Sequence, residues 1–262
     1  MLLLEASPCA ALRHGPSHVL EWRSARYELS SSSSSVVVEC TVEAHNEEVS
    51  KRFRFDGTLE VAVRELAPTA DDTTGLGVWD AAIALAALCA TTAFPSDARV
   101  LELGCGCGLP SATLAARGAR VLATDGSQAL VDRLRSEGLN ARRLRWDEDE
   151  LEEGGFGLVL GAEILYAASA VPLVARLLRR YARDAVWLVG LARRRPLLDA
   201  LCHLLRDDFH FNSHTITLAA SSRDPPGTRR VTVDDLDRVN LLLVRGTRTV
   251  GPAEGGGGRG ER

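Results

Sequence analysis

The stretch Arg99–Leu109, RVLELGCGCGL, alternates Gly104, Gly106 and Gly108 with Cys105 and Cys107, directly behind an apolar run that carries one acid, Glu102. Three chemistries compete for such a loop. A structural zinc site takes about four ligands, and this C-x-C pair has no second cysteine or histidine pair at a usual interval to complete one, so no metal is expected. A thioredoxin-type redox centre is C-x-x-C, one residue longer. Burial as free thiols in a reducing compartment accounts for both cysteines. Nucleotide binding fits better. The loop follows a predicted strand and precedes a predicted helix, and Asp125 stands 21 positions after Gly104 at the end of the next strand. A carboxylate there reaches the ribose hydroxyls of a ligand whose other half lies over the glycines.

A dinucleotide fits poorly. The G-x-G-x-x-G fingerprint requires glycine at 109, where the chain has Leu109, and the third glycine falls at 108 instead. Glu102, two residues before the first glycine, disfavours a pyrophosphate and suits a ligand with a positive amino group. S-adenosyl-L-methionine is such a ligand, with an adenosine, no phosphates, an ammonium and a sulfonium. Gly104 and Gly106 would let the backbone approach its methionine portion, because a residue without Cβ leaves that space open.

These residues must be held by a scaffold, and the 262-residue chain, 45% hydrophobic and 25% charged, is long enough for one large domain with extensions. Residues 27–64 alternate polar and apolar positions around breaks at the serine run, at His45-Asn46 and at Asp56-Gly57, the pattern of strands joined as hairpins. A small-residue helix is predicted over VWDAAIALAALCA, ending at Phe94-Pro95. Strands follow at 99–103 and 120–124, with helices at 110–116 and 127–137. Further strands are predicted at 158–162, 185–191, 214–219 and 239–244, and helices at 170–182 and 196–206. Alternating strand and helix predicts an α/β fold, a Rossmann-like, doubly wound and mostly parallel sheet with an N-terminal β-hairpin extension. The expected division is a partly disordered leader over 1–26, the β extension over 27–70, the main domain over 71–246, and a disordered Gly-rich tail over 247–262.

A formal charge of −4 gives no basic field, so neither nucleic acid nor an anionic membrane is an expected partner. The opening MLLLEASPCAALRHGP lacks a signal peptide's apolar core, and no segment reaches the length of about 20 apolar residues that a membrane helix needs. A soluble protein is expected, cytoplasmic, with the nucleus as the alternative. Lys51 is the only lysine. The basic runs at Arg142-Arg143, Arg179-Arg180 and Arg193–Arg195 are read as solvated charges, with contact to an acidic partner as the alternative.

The run ELGCGCGLPSATLAARGARVLATD resembles motif I and the following acidic motif of class I, seven-strand methyltransferases. TGLGVWDAA before the first parallel strand, RLRWDED after the third and GAEILY after the fourth narrow the likeness to the eukaryotic protein lysine methyltransferase-like group. That resemblance covers roughly residues 50–245. It implies that Trp79, Gly104, Cys105, Gly106, Asp125, Trp146 and Ala162 line the cofactor, with Asp125 on the ribose, Trp146 on the adenine and Trp79 near the methionine end; Glu102, on its charge, and Gly108, as the third glycine of the loop, are expected beside them. It implies Glu163 and Tyr166 as the catalytic pair, although Glu163 stands where that group usually has aspartate. The implied activity is methyl transfer from S-adenosyl-L-methionine to lysine side chains of a protein, such as a chaperone or translation factor, by a monomer. The alternatives are a small-molecule methyltransferase and a catalytically weak S-adenosylmethionine-binding interaction protein. Asp224-Pro225-Pro226-Gly227, similar to a motif of base-modifying methyltransferases, lies after the fifth strand instead of the fourth and is read as a turn.

Overall fold

The computed structural model describes residues 23–30, 35–45, 48–65, 75–94, 98–152, 155–223 and 237–249. Four antiparallel strands come first: β1 (Arg23–Ser30), β2 (Ser35–His45), β3 (Glu48–Phe55) and β4 (Leu59–Glu65). β3 and β4 are joined at Asp56-Gly57, where both turn residues take positive φ (44° and 71°), and the residues that join β1 to β2 and β2 to β3 lie outside the described residues. Ser30 and Ser35 pair with each other, so the serine run belongs partly to the ladder and the rest of it lies outside the described residues. β1 begins at Arg23, inside the stretch expected to be leader. The Pro-Pro-Gly turn, Cys9 and the Gly-rich tail from residue 250 also lie outside the described residues.

The parallel strands are β5 (Arg99–Leu103), β6 (Arg120–Asp125), β7 (Ala141–Arg143), β8 (Phe156–Ala162) and β9 (Ala182–Leu191). They are followed by the long antiparallel pair β10 (Phe209–Arg223) and β11 (Asp237–Arg248). Among the described residues all eleven strands form one sheet, in the order β4-β3-β2-β1-β10-β11-β9-β8-β5-β6-β7. Read from β7 to β10, seven of them make an open sheet in which β11 alone runs against the rest. The meander joins it because β1 pairs with the far edge of β10, covering that edge from Ser24↔Arg223 to Ser30↔Thr217.

Helices α1 (Asp80–Thr91), α2 (Leu109–Ala116), α3 (Gln128–Ser136), α4 (Ala170–Tyr181) and α5 (Arg195–Leu204), with a 3-10 turn at Ala192–Arg194, cover both faces. Successive side chains of a strand point to opposite faces, and β5 shows it. Val100 packs in the core under α1, α2 and the meander, while Leu101 and Leu103 pack in the core under α4 and α5. Glu102 therefore faces α2. α1 is apolar on nearly every side, with Ala81, Ile83, Ala84, Leu85, Ala86, Ala87 and Cys89 all buried; its alanines let it lie close to α2 and β9.

The meander is locked to the segment before α1 by a buried ion pair. Lys51, 1% exposed, places Nζ 2.5 Å from Glu65 Oε1, and the same oxygen accepts the Val78 N–H at 2.6 Å. Among the described residues no helix is long and apolar enough to cross a membrane.

Candidate active site

The carboxyl ends of the parallel strands meet at the crevice where the order reverses, between β5 and β8. In open α/β sheets this is where ligands bind. β5 ends in a loop whose three glycines all take positive φ: 61° at Gly104, 51° at Gly106 and 74° at Gly108. Side-chain residues are strained in that region of conformation, which accounts for the glycine spacing. Close packing adds a second requirement at all three, a Cβ on Gly108 meeting Leu134 Cδ2 at 2.7 Å. A Cβ on Gly106 would stand 3.1 Å from Gly75 O and 3.2 Å from Gly75 Cα, and one on Gly104 would meet Ile164 Cγ2 at 3.1 Å and Trp146 Cζ2 at 3.4 Å.

Asp125, the last residue of β6, organises the loop. Its Oδ2 accepts the Gly106 N–H and its Oδ1 accepts the Ser127 N–H, both at 2.9 Å. Each carboxylate oxygen has a second lone-pair direction, so a carboxylate holding two backbone groups can still accept from a ligand hydroxyl. Cys105 N–H donates to Thr124 O at 2.8 Å, tying the loop to β6 a second time. The residues before α1 complete this side, because the Cys107 thiol donates to Leu76 O (3.3 Å) and Gly75 O (3.5 Å). Burial raises both loop thiols, Cys107 to about 11 and Cys105 well above the ordinary thiol value, so neither is a thiolate at neutral pH. Cys89, Cys105, Cys107 and Cys202 are free thiols. Among the described residues no three His, Cys, Asp or Glu side chains gather as a metal would require.

On the other side, Trp146 follows β7 and lies against Gly104, with its ring 6.4 Å from that of Tyr166. The structure thus brings together Gly104, Trp146, Ala162 at the end of β8, Glu163 and Tyr166, and separately Gly106, Asp125 and Gly75. Trp79 precedes α1 and is 46% exposed; Tyr166 is 58% exposed.

Two acids are engaged by groups of the protein itself. Glu102 does not line the crevice: it is 1% exposed, faces α2 and accepts hydrogen bonds from Ser111 N (2.9 Å) and Ser111 Oγ. Burial outweighs those bonds and pushes its carboxyl up to about 8. It secures the amino end of α2 from beneath, and burial favours its protonated form. Glu163 is half-buried and left-handed (φ 54°), with Oε1 accepting the Leu191 N–H and Oε2 4.0 Å from Arg194 Nε. Burial raises its carboxyl, and the opposing pull of Leu191 N–H, Arg194 and Arg193 is smaller.

Sequence reasoning missed Gly75, Glu65 and Ser111, and read Arg194 only as one of a run of solvated charges, whereas it binds Tyr166 O. Gly75 was within reach, since it lies in the quoted TGLGVWDAA segment. A cavity of about 470 Å³ opens near the amino ends of β5 and β6, lined by Arg99, Arg120, Ser111 and Phe156 among others, and none of the expected site residues lines it.

A seven-strand unit with one reversed strand, a glycine loop after its first parallel strand and an acid ending the second, is the architecture of class I methyltransferases. Residues 65–200 match the lysine methyltransferase family, and the chain belongs to that family. It is 30% identical over 145 residues to the zebrafish (Danio rerio) protein N-lysine methyltransferase METTL21A, a match that spans 45% of this chain and 66% of that protein, just under two thirds. Two solved structures resemble it in overall shape. Precorrin-6y C5,15-methyltransferase from Geobacter metallireducens has a TM-score of 0.47 and 11% identity, covering 63% of this chain and 88% of that one. A putative RNA methyltransferase from Pyrococcus horikoshii has a TM-score of 0.46 and 15% identity, covering 71% and 94%. At those values neither bears on the chemistry.

Proposed function

We propose that the protein is an S-adenosyl-L-methionine-dependent methyltransferase acting on lysine side chains of a protein substrate. The observation that carries this reading is the glycine loop fixed by Asp125: a positive-φ turn through Gly104, Gly106 and Gly108, a carboxylate ending β6, and the Trp146 ring against Gly104. These residues fit an adenosyl ligand, with Asp125 holding the ribose and Trp146 stacking on the base. Family membership and the METTL21A match support lysine as the acceptor.

When bound, the cofactor supplies an electrophilic methyl group. The chain's own residues then align the amine, help it to lose a proton and keep water away. Glu163 and Tyr166, past the carboxyl end of β8, orient the incoming ammonium. The positive charge is dispersed between donor and acceptor in the transition state, and the aromatic surroundings of Trp146, Tyr166 and Trp79 favour a dispersed charge over a concentrated one, because they solvate a cation less well than water does.

One observation favours a second reading, a binding protein without turnover: the Glu163 carboxylate is already engaged by Leu191 N–H and approached by Arg194. Calorimetry with S-adenosylmethionine followed by tritium transfer into lysate proteins separates the two. Binding with labelled protein lysines is the expected result. Binding without transfer supports the second reading, and absence of binding overturns both.

A further inference from the structure

Arginine is abundant in this chain, and nearly every arginine whose side chain is described has a partner. Arg64 pairs with Glu137, Arg179 with Asp208, Arg117 with two carbonyls, and Arg245 lies over Trp187. Only the side chains of Arg120, Arg193 and Arg195 make no hydrogen bond, ion pair or ring contact among the described residues. Arg120 begins β6, at the end of the sheet away from the crevice. Arg193 and Arg195 are exposed and follow β9 directly, where the chain turns into α5.

That turn touches the acceptor side of the crevice. Between the two exposed arginines, Arg194 donates through Nη1 to Tyr166 O at 3.0 Å and brings Nε to 4.0 Å from Glu163 Oε2. Arg193 is within electrostatic reach of the same carboxylate. With its neighbours on each side pointing to solvent, Arg194 fixes the turn and leaves two cations at the rim beside Tyr166.

A cationic rim is an odd neighbour for a cationic acceptor. At physiological ionic strength charges interact over about 8 Å, so the two arginines repel an approaching lysine against the pull of Glu163 and of Asp80, which lies within electrostatic reach of Glu163. The repulsion turns to attraction if the residues around the lysine are acidic. We infer that Arg193 and Arg195 form a docking rim for an acidic segment, so that the substrate is a lysine flanked by aspartate or glutamate. The same rim disfavours the charged ammonium and so assists release of the proton that the nucleophile must lose. The inference rests on the methyltransferase reading for the lysine, but the rim's affinity for acidic chain does not depend on it.

The test uses short fluorescein-labelled peptides with a central lysine flanked by glutamate, glutamine or arginine. Their anisotropy is read on the full chain with and without S-adenosylhomocysteine, at low and at physiological salt. Two exposed charge pairs predict that the glutamate-flanked peptide binds about tenfold more tightly than the glutamine-flanked one, with the margin shrinking as salt rises. Arg193→Ala/Arg195→Ala should bring the two peptides to within about twofold of each other, while Arg120→Ala, an equally uncommitted arginine at the other end of the sheet, changes nothing. Equal binding of both peptides by the unaltered chain, or an Arg120→Ala effect as large as the double variant's, overturns the inference. Calorimetry with S-adenosylmethionine on the same preparation tests the underlying reading separately: its failure alongside a preserved glutamate preference removes the methyltransferase and leaves the rim.

Discussion

The carboxyl ends of β5 and β8 are neighbours in the sheet, and each carries a glutamate raised above the usual carboxylate range by burial. Glu102 is sealed beneath α2 and serves Ser111, whereas Glu163 keeps one oxygen on Leu191 N–H and turns the other toward Arg194 at the rim. The same kind of backbone contact therefore does two jobs. At β5 it completes an interior, and at β8 it aims a carboxylate at the edge of a crevice. A third glutamate sharpens the contrast, since Glu65 is half-buried beside a buried cation, Lys51.

The largest effect is expected at that third site. Breaking a buried ion pair by removing one partner costs about 3–5 kcal/mol, because the other charge is left uncompensated. Lys51→Met should lower the thermal midpoint by roughly 10 °C in a chain of this size. Lys51→Met/Glu65→Gln should recover part of the loss. A cost below about 1 kcal/mol in the single variant would mean that Glu65 does not depend on its cation.

Glu102 comes next. The folded chain keeps its proton up to about pH 8, and the unfolded chain releases it near pH 4.5. The folded state therefore binds more protons across that window, and this group's contribution is complete below pH 4.5 and lost as pH rises through about 8. Chemical denaturation from pH 5 to pH 8 should show stability falling by a few kcal/mol at most, with a flatter slope in Glu102→Gln. A slope unchanged by the substitution would place the raised group elsewhere.

Asp125→Ala removes a carboxylate that holds two loop N–H groups, in bonds worth about 1.5–3 kcal/mol each when one partner is charged. S-adenosylmethionine affinity should fall by about a hundredfold or more by calorimetry, with Asp125→Asn recovering part of it. An affinity drop smaller than fivefold would separate the loop's architecture from ligand binding.

How far these roles were legible depends on range. The meander announced itself through period-two alternation and Asp56-Gly57, and the parallel unit through strand, glycine loop, helix, strand and Asp125. Each of those signals lies within a few residues or one strand–helix–strand span. β7 spans only Ala141–Arg143, too short for a periodic pattern, and was marked only by the segment that follows it. The direction of Glu102 was in principle readable from its alternation with Val100 and Leu101, but a ligand-facing role was inferred from charge type instead. Lys51–Glu65–Val78 joins three separate segments, and nothing in local composition reports such a contact. The left-handed backbone at Glu163 has no sequence signal either, since glutamate is not a residue that favours it.

Glu163→Gln carries the smallest expected effect and separates the two readings of the site. The amide oxygen can still accept the Leu191 N–H, so the backbone stays fixed and the thermal midpoint should shift by no more than about 2 °C, the scale of roughly 0.5–1 kcal/mol in a chain of this length. What disappears is the charge beside Tyr166. If that charge orients the acceptor ammonium, turnover on protein lysine should fall about tenfold, the kinetic equivalent of about 1.4 kcal/mol, while S-adenosylmethionine binding stays within about twofold. Glu163→Asp keeps the charge, and aspartate tolerates a left-handed backbone better. Its shorter side chain weakens the reach to Leu191, so activity should be retained while the thermal midpoint falls. Unchanged turnover in Glu163→Gln, with loss confined to Glu163→Asp, would show that the carboxylate serves the β9 backbone alone and that the chemistry at β8 depends on Tyr166.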